Sequence, residues 1–528
     1  MRKILFCLLL GTTIVSTACK SDKAKATEDQ AMPAEAMALK DEKRKGAWKT
    51  EPTTGSAAYA VATPAPAADK GTSGDGFKSH GQNPWVDASK DRLSTFAADV
   101  DTASYTIMRR KLTEGALPPP ASVRVEEFVN YFDYKFEDPT NGTPFSVLMQ
   151  AAPSPMNAAR HILRVGVATK AKTEQDRKPA NLVFLVDVSG SMSGEDRLPL
   201  AKKSLRILTH NLKDGDTVSL VTYAGSSRVI LSPTGLENKA RILSAIDELG
   251  AGGSTAMGSG LDLAYEQAVK GLRPGAISRV IVLSDGDANV GTATHDQILK
   301  TIAGRVKEGV TLSTIGFGMG NYKDEMMEQL ANKGNGNNFY IDTIDAAKKI
   351  FDKQLGSTLE VVAKDAKFQV DFDPKLVSRY RLVGYENRDI ADNDFRNDKV
   401  DAGEIGAGHQ VTALYEVELT AEGKQQNAPI ATVRLRHKAP NGEKAIESAF
   451  PMVGGPAESF ANTSSDFRFA FAVAAFADLL RGGEDAEHWS LGEIRKVAMA
   501  AAGEDADRKE LVDLLNKAIT IKNRSATR

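Results

Sequence analysis

A chain of 528 residues is long for one compact core, so two or three domains are expected. Lys plus Arg number 67 against 69 Asp plus Glu, a net charge of −2 that gives no electrostatic ground for binding nucleic acid or a polyanionic surface. Apolar residues make up 41%, as in water-soluble folds, and beyond Val15 no apolar run approaches the roughly 20 residues that cross a bilayer.

Arg2 and Lys3 precede an apolar stretch from Ile4 to Val15, followed by Ser16, Thr17, Ala18 and Cys19, the positive, apolar, small order of an export signal. The Ser-Thr-Ala-Cys end resembles the bacterial lipobox, which implies cleavage after residue 18 and a lipid on Cys19. An ordinary secretory signal with a Cys beside its cleavage site is the alternative. Cys7 would leave with the signal, so the exported chain would carry one thiol and no intramolecular disulfide. Lys20 stands where Asp would mark inner-membrane retention in some Gram-negative bacteria, so analogy favours the periplasmic face of the outer membrane.

Residues 19–85 are rich in Ala, Lys, Pro, Gly, Thr and Ser and are expected to form a disordered linker, because they cannot bury enough apolar surface to order themselves. About 65 residues of flexible coil have an end-to-end distance on the order of 45 Å, enough to hold a globular part clear of lipid headgroups. An N-terminal flanking domain is expected over 86–177, with helical runs at Ala103 to Leu112 and Val125 to Phe132 and strands at Phe145 to Ala151 and His161 to Val167. It carries no evident chemistry of its own, and a packing or adaptor role is expected.

Between 178 and 362 apolar strands alternate with amphipathic helices, the pattern of a doubly wound, Rossmann-like α/β sheet. Strands are predicted at Asn181 to Val186, Thr217 to Tyr223, Arg228 to Leu231, Arg279 to Leu283, Thr311 to Gly316 and Asn338 to Ile341, with a last helix from Ile344 to Leu359. Ligands of such sheets sit beyond the carboxyl ends of the strands, and three polar clusters fall there. Asp187, Ser189 and Ser191 follow the first strand; Gly252-Gly253-Ser254-Thr255 opens a helix; Ser284-Asp285-Gly286 follows the strand ending at Leu283. Two carboxylates and three hydroxyls at one rim suit a small hard cation such as Mg²⁺, with Mn²⁺ or Ca²⁺ as alternatives. Capping of strand ends and helix starts is the plainer reading of the same residues.

Asp-x-Ser-x-Ser, a Thr after Gly-Gly-Ser, and Ser-Asp-Gly resemble the metal-ion-dependent adhesion site of von Willebrand factor A domains. The resemblance implies that Ser189, Ser191 and Thr255 ligate a divalent cation and that Asp187 and Asp285 act mainly through bridging water. A partner's Asp or Glu would then complete the shell. The stretches Asp99-Val-Asp-Thr-Ala-Ser-Tyr, Leu117 to Phe132, and Gly384-Tyr-Glu-Asn-Arg through Asp401-Ala-Gly-Glu-Ile-Gly-Ala-Gly-His are similar to a bacterial lipoprotein family whose A domain lies between two family-specific regions.

The C-terminal domain, 363–528, reads first as antiparallel strands and then, after about Asp466, as helices at Phe467 to Leu480, Leu491 to Ala502 and Arg508 to Ile519. By analogy with other proteins that carry A domains, strands from both flanks are expected to share one β-sandwich with the A domain inserted in it. Phe467, Phe469, Phe471 and Phe476 make the first of these helices aromatic on more than one side, and burial is the expected reason.

Enzyme readings find little support. None of the seven histidines forms His-Glu-x-x-His, no Gly-x-Ser-x-Gly follows a strand, and Ser189 and Ser191 have no local base. Gly316-Phe-Gly318-Met-Gly320 lacks a P-loop lysine and reads as turn glycines, while Asp287 adds a carboxylate near the rim without a base to go with it. The expectation is a non-enzymatic module that binds a carboxylate of an envelope or surface protein, or a structural lipoprotein whose cation only stabilises the A domain.

Overall fold

The computed structural model describes residues 75–140, 142–172, 177–286, 295–320, 322–353, 359–400, 402–440, 442–483 and 489–526, all within one unit spanning Ala65–Arg528. The export signal, Cys19, most of the expected linker and Asp287 lie outside the described residues.

Residues 75–85 correct the linker boundary expected at 86, because they are already packed. Phe77 is buried with Tyr322 and Tyr340. Asn83 donates to the carbonyls of Leu382 at 3.2 Å and Gly384 at 2.7 Å, and the guanidinium groups of Arg160 and Arg379 each lie 4.7 Å from the Trp85 ring centre. Polar contacts to the main chain hold this strap where its sparse apolar content gave no periodic signal.

The N-terminal flank continues through β1 (Val86–Asp87), β2 (Leu93–Ala97), α1 (Ala103–Thr113), α2 (Val125–Asn130), β3 (Phe145–Pro153) and β4 (His161–Thr169). The A domain follows: β5 (Ala180–Asp187), α3 (Leu198–Asn211), β6 (Thr217–Tyr223), β7 (Ser227–Gly235), α4 (Lys239–Asp247), α5 (Met257–Lys270), β8 (Ile277–Ser284), α6 (His295–Lys307), β9 (Val310–Phe317), α7 (Asp324–Lys333), β10 (Asn338–Ile341) and α8 (Ile344–Lys348). The C-terminal flank has β11 (Val361–Phe372), β12 (Val377–Val383), β13 (Gly403–Gly406), β14 (Gln410–Leu419), α9 (Ala421–Gln425), β15 (Ala431–Lys438), β16 (Ala445–Pro451), α10 (Ser465–Arg481), α11 (Leu491–Ala502) and α12 (Ala506–Ala526).

The A-domain sheet runs β10-β9-β8-β5-β6-β7 and is parallel except for β7, which turns back antiparallel at the edge. All eight residues of β5 are buried, which is why it reads as an unbroken apolar run. Its alternate side chains serve two faces: Leu182, Phe184 and Val186 pack with α3, α4 and α8, while Val183 and Leu185 pack with α5 and α6. Strand order reverses at β5, between β8 and β6, and so opens a crevice at its carboxyl end.

The flanks form one sandwich. Its first sheet, β1-β12-β14-β4-β3, mixes strands from before and after the A domain; its second is β13-β11-β15-β16, with β2 also pairing β11. Phe145, Val165 and Val167 meet Phe368, Val370, Val433 and Leu435 between the sheets. The two flanks are therefore one body, and β11 begins at Val361, just inside the expected A-domain boundary at 362. Phe467, Phe469, Phe471 and Phe476 of α10 are buried against α1, α2, α11 and α12 as well as sandwich residues such as Ile162 and Leu414.

The last A-domain helix starts at Ile344 as predicted, and Leu359, its predicted end, is helical, while 354–358 lie outside the described residues. It is α-helical over Ile344–Lys348 and widens into a π turn over Lys349–Lys353. Buried Lys349 donates to the Tyr131 carbonyl and to Asp507, both at 2.8 Å, and tethers this helix to both flanks.

Candidate functional site

Asp187 ends β5, the central strand, and is fully buried. Its Oδ1 accepts the Ser189 N–H at 2.9 Å, a side-chain turn that breaks the strand and brings the Ser189 and Ser191 hydroxyl oxygens to 2.9 Å of each other. Parallel pairing of β5 with β8, with Val186 opposite Leu283, sets Ser284 beside Asp187. The Ser284 hydroxyl donates to Asp187 Oδ2 at 3.2 Å and accepts the Gly286 N–H at 3.0 Å, which places buried Asp285 on the same rim.

The second cluster joins through main chain. Gly190 donates to the Gly253 carbonyl at 3.0 Å and Gly252 to the Val188 carbonyl at 2.7 Å, so the loop before α5 is sewn to the loop after β5. Thr255 stands two residues on and is half-buried. All five predicted residues thus belong to loops held together at one rim, while Cys19 lies outside the described residues.

Three features escaped sequence reasoning. The first is Arg197, whose guanidinium lies 3.3 Å from Asp285 and donates to the carbonyls of Ser191 and, at 2.8 Å, Met319. The second is the glycine framing around it. Gly318, at φ 66°, leaves the slot for Arg197, since a Cβ there would sit 2.4 Å from its Nε; Gly286, at φ 79°, lets Tyr322 and Lys323 close over the third cluster. The third is the strap. Buried Asp75 accepts the N–H groups of Gly320 at 2.7 Å and Tyr322 at 3.1 Å and pairs with Lys111 at 3.2 Å, while Gly76 donates to the Tyr322 carbonyl at 2.9 Å. The strap therefore pins the rim loop that carries Met319.

Burial pushes the Asp187 carboxyl up to about 6, and repulsion from Asp285 adds to it against hydrogen bonds from Ser189 and Ser284. Among the described residues no three Asp, Glu, His or Cys side chains converge as a metal cluster. The donors here are instead two carboxylates and three hydroxyls, all hard oxygen, which fit Mg²⁺, Mn²⁺ or Ca²⁺ better than a thiophilic ion. A cation would also relieve the repulsion between the buried Asp187 and Asp285 carboxylates.

Ion pairs join the A domain to its flanks. Arg388 pairs with Asp99 at 2.8 Å, Asp101 at 3.1 Å and Glu328 of α7 at 3.6 Å and donates to Asn332 at 2.9 Å. Arg124 binds Glu127 and, at 2.5 Å, Asp324. Residues of the Asp99-to-Tyr105, Leu117-to-Phe132 and Gly384-to-Arg388 motifs thus meet at this seam.

Comparison with known proteins bears on the whole chain. It matches the profiles of "von Willebrand factor" over residues 72–164, "von Willebrand factor type A domain" over 181–353 and "Uncharacterized protein YfbK, C-terminal" over 357–521. "Uncharacterized protein YfbK" of Escherichia coli (strain K12) is 40% identical over 498 residues, covering 90% of this chain and 85% of the relative. "Uncharacterized protein sll0103" of Synechocystis sp. is 27% identical over 283 residues, covering 53% of this chain and 66% of the relative. Among solved structures, von Willebrand factor type A from Catenulispora acidiphila aligns at 18% identity with a TM-score of 0.42, covering 71% of this chain and 89% of that one. With an A domain at its centre and a near full-length relative at 40% identity, this chain belongs to the YfbK family of von Willebrand factor type A proteins.

Proposed function

We propose that the protein is a binding module of the bacterial cell envelope, anchored by lipid at Cys19, that uses a divalent cation at the A-domain rim to bind an Asp or Glu carboxylate of a partner protein. The observation that carries this reading is the joining of the loops bearing Asp187, Ser189, Ser191, Thr255 and Asp285 by hydrogen bonds between two strand ends and a helix start. Ser189, Ser191 and Thr255 would offer neutral hydroxyls, and Asp187 and Asp285 would balance charge mainly through water. Neutral donors leave the ion electrophilic, and a bound ion supplies a Lewis-acidic point for an incoming carboxylate. Binding rather than catalysis is proposed because, among the described residues, the rim carboxylates are already engaged in structure and none forms a base–nucleophile pair.

A second reading, a cation that only stabilises the A domain, draws on the complete burial of Asp187. Capture of crosslinked partners from envelope extract by the full chain separates the two. In the binding reading a partner appears in Mg²⁺ and is lost both in EDTA and in Asp285→Ala; in the structural reading the same partners appear in all three, while EDTA lowers the melting temperature.

A further inference from the structure

A groove of about 550 Å³ opens beside the rim. It is lined by Val188, Thr222 and Ala224 near the ends of β5 and β6, by the loop Glu248 to Gly253, and by Arg228 and Ile230 of the edge strand β7. Gly252 of that loop donates to the Val188 carbonyl and Gly253 accepts the Gly190 N–H, so the groove starts at the rim and leads away from it across the sheet.

Three features of the groove have no use within the fold. Neither packing nor a positive φ requires glycine at 250 or 252, since a Cβ at either would meet no atom within 4 Å and neither φ is positive. Bare backbone there keeps one wall low. Ile230 is 39% exposed, and with half-buried Val188 and exposed Ala251 it gives the groove apolar surface. Arg228 shares a face of β7 with Ile230, is exposed, and carries no ion pair or side-chain hydrogen bond among the described residues. Glu248, also on the lining, is already engaged, accepting the Ser244 hydroxyl at 3.1 Å.

Strand register gives the spacing. Asp187 lies opposite Tyr223 across β5 and β6, and Thr222 opposite Arg228 across β6 and β7. Two steps of about 4.8 Å between strands put the main chain of Arg228 about 10 Å across the sheet from Asp187, the length of about three residues of extended chain. A helix, rising about 1.5 Å per residue, would need six or seven residues to cover that span.

We propose that this groove seats an extended acidic segment of the partner protein, with one carboxylate at the cation rim, a second about three residues away on Arg228, and an apolar side chain between them against Ile230. The inference rests on the cation-binding reading and adds to it the sequence pattern of the partner.

Fluorescence anisotropy of the full chain in Mn²⁺ tests this with labelled Gly-Asp-Ala-Leu-Asp-Gly, the same peptide in reversed order, and controls in which either Asp is Asn. One of the two doubly acidic peptides should bind about three- to fivefold tighter than its singly acidic controls. Arg228→Gln should erase that difference. Gly250→Leu, which fills the groove, should weaken the doubly acidic peptide about tenfold or more, while Mn²⁺ affinity measured by calorimetry stays within about twofold in both variants. Hydrogen exchange at residues 228–230 and 248–252 should slow when the peptide binds. A chain that binds Mn²⁺ but neither peptide, equal affinity for the doubly and singly acidic peptides, or undiminished binding in Gly250→Leu overturns this inference and leaves the cation reading standing. Absence of Mn²⁺ binding overturns both.

Discussion

Arg197 rests its guanidinium against the carboxylate of Asp285, Nη1 to Oδ2 at 3.3 Å, and the same side chain braces the carbonyls of Ser191 and Met319. A fixed positive charge thus stands beside the oxygen donors, where it neutralises Asp285 and competes with any cation that enters. Replacement by methionine is expected to tighten Mn²⁺ binding about three- to tenfold, by removing like-charge repulsion. It should also lower stability by about 1–3 kcal/mol, through the lost charged hydrogen bonds. Calorimetric Mn²⁺ titration and denaturant unfolding read the two effects separately; weaker Mn²⁺ binding in a folded variant would mean that Arg197 serves only as a brace.

The Asp187 carboxyl, raised to about 6 from its ordinary 3.8, makes the cation-free protein sensitive to pH. Its folded form holds the proton more tightly than the unfolded chain does. The associated stability, about 3 kcal/mol, is therefore fully present below pH of about 4 and lost as pH rises through about 6. A cation reverses this cost by favouring the ionised carboxylate. The gain in melting temperature on adding Mg²⁺ should be small at pH of about 5 and reach its full size by about 7, with affinity falling as protons compete below about 6. A Mg²⁺ effect that does not change across this range would separate Asp187 from cation binding.

Asp75 joins the strap to the rim loop through two main-chain N–H groups and Lys111. Asp75→Ala leaves those donors buried, and a loss of about 3–5 kcal/mol is expected. Hydrogen exchange should speed up first at the Gly320 and Tyr322 amides of the rim loop, ahead of the sheet. Uniform exchange across the A domain would show that the strap stabilises the whole domain rather than this loop.

Arg388 gathers Asp99, Asp101 and Glu328 from two stretches of chain. Arg388→Met removes the shared counter-charge from buried carboxylates, and destabilisation of more than about 3 kcal/mol is expected, partly recovered at low pH as those carboxylates take up protons. Thermal unfolding at two pH values measures it; a loss independent of pH would point to packing alone.

What could be read in the sequence follows physical reach. β5, β8 and β9 were visible because burial on both faces leaves unbroken apolar runs, and the rim clusters were visible because each follows or precedes such an element directly. Arg197 could not be singled out, since its partner Asp285 is reached only through the sheet and an arginine near a helix start has many ordinary uses. Asp75 and Arg388 act across similarly long separations and leave no periodic trace. The antiparallel turn of β7 and the π turn at Lys349–Lys353 likewise coincide with tertiary contacts, the latter with Lys349 reaching Tyr131 and Asp507. The shared sandwich was expected by analogy, and pairing of β14 with β4, Leu414 opposite Arg164 through Val417 opposite His161, bears it out.

Calorimetric titration of the full chain with Mn²⁺ and Mg²⁺, beside Asp285→Ala and Ser189→Ala, tests the central claim most directly. The account expects one saturable site in the native chain, with binding abolished by the first substitution and weakened at least about tenfold by the second while both variants stay folded. No saturable binding, or binding unchanged in folded Asp285→Ala, would contradict a cation site at this rim.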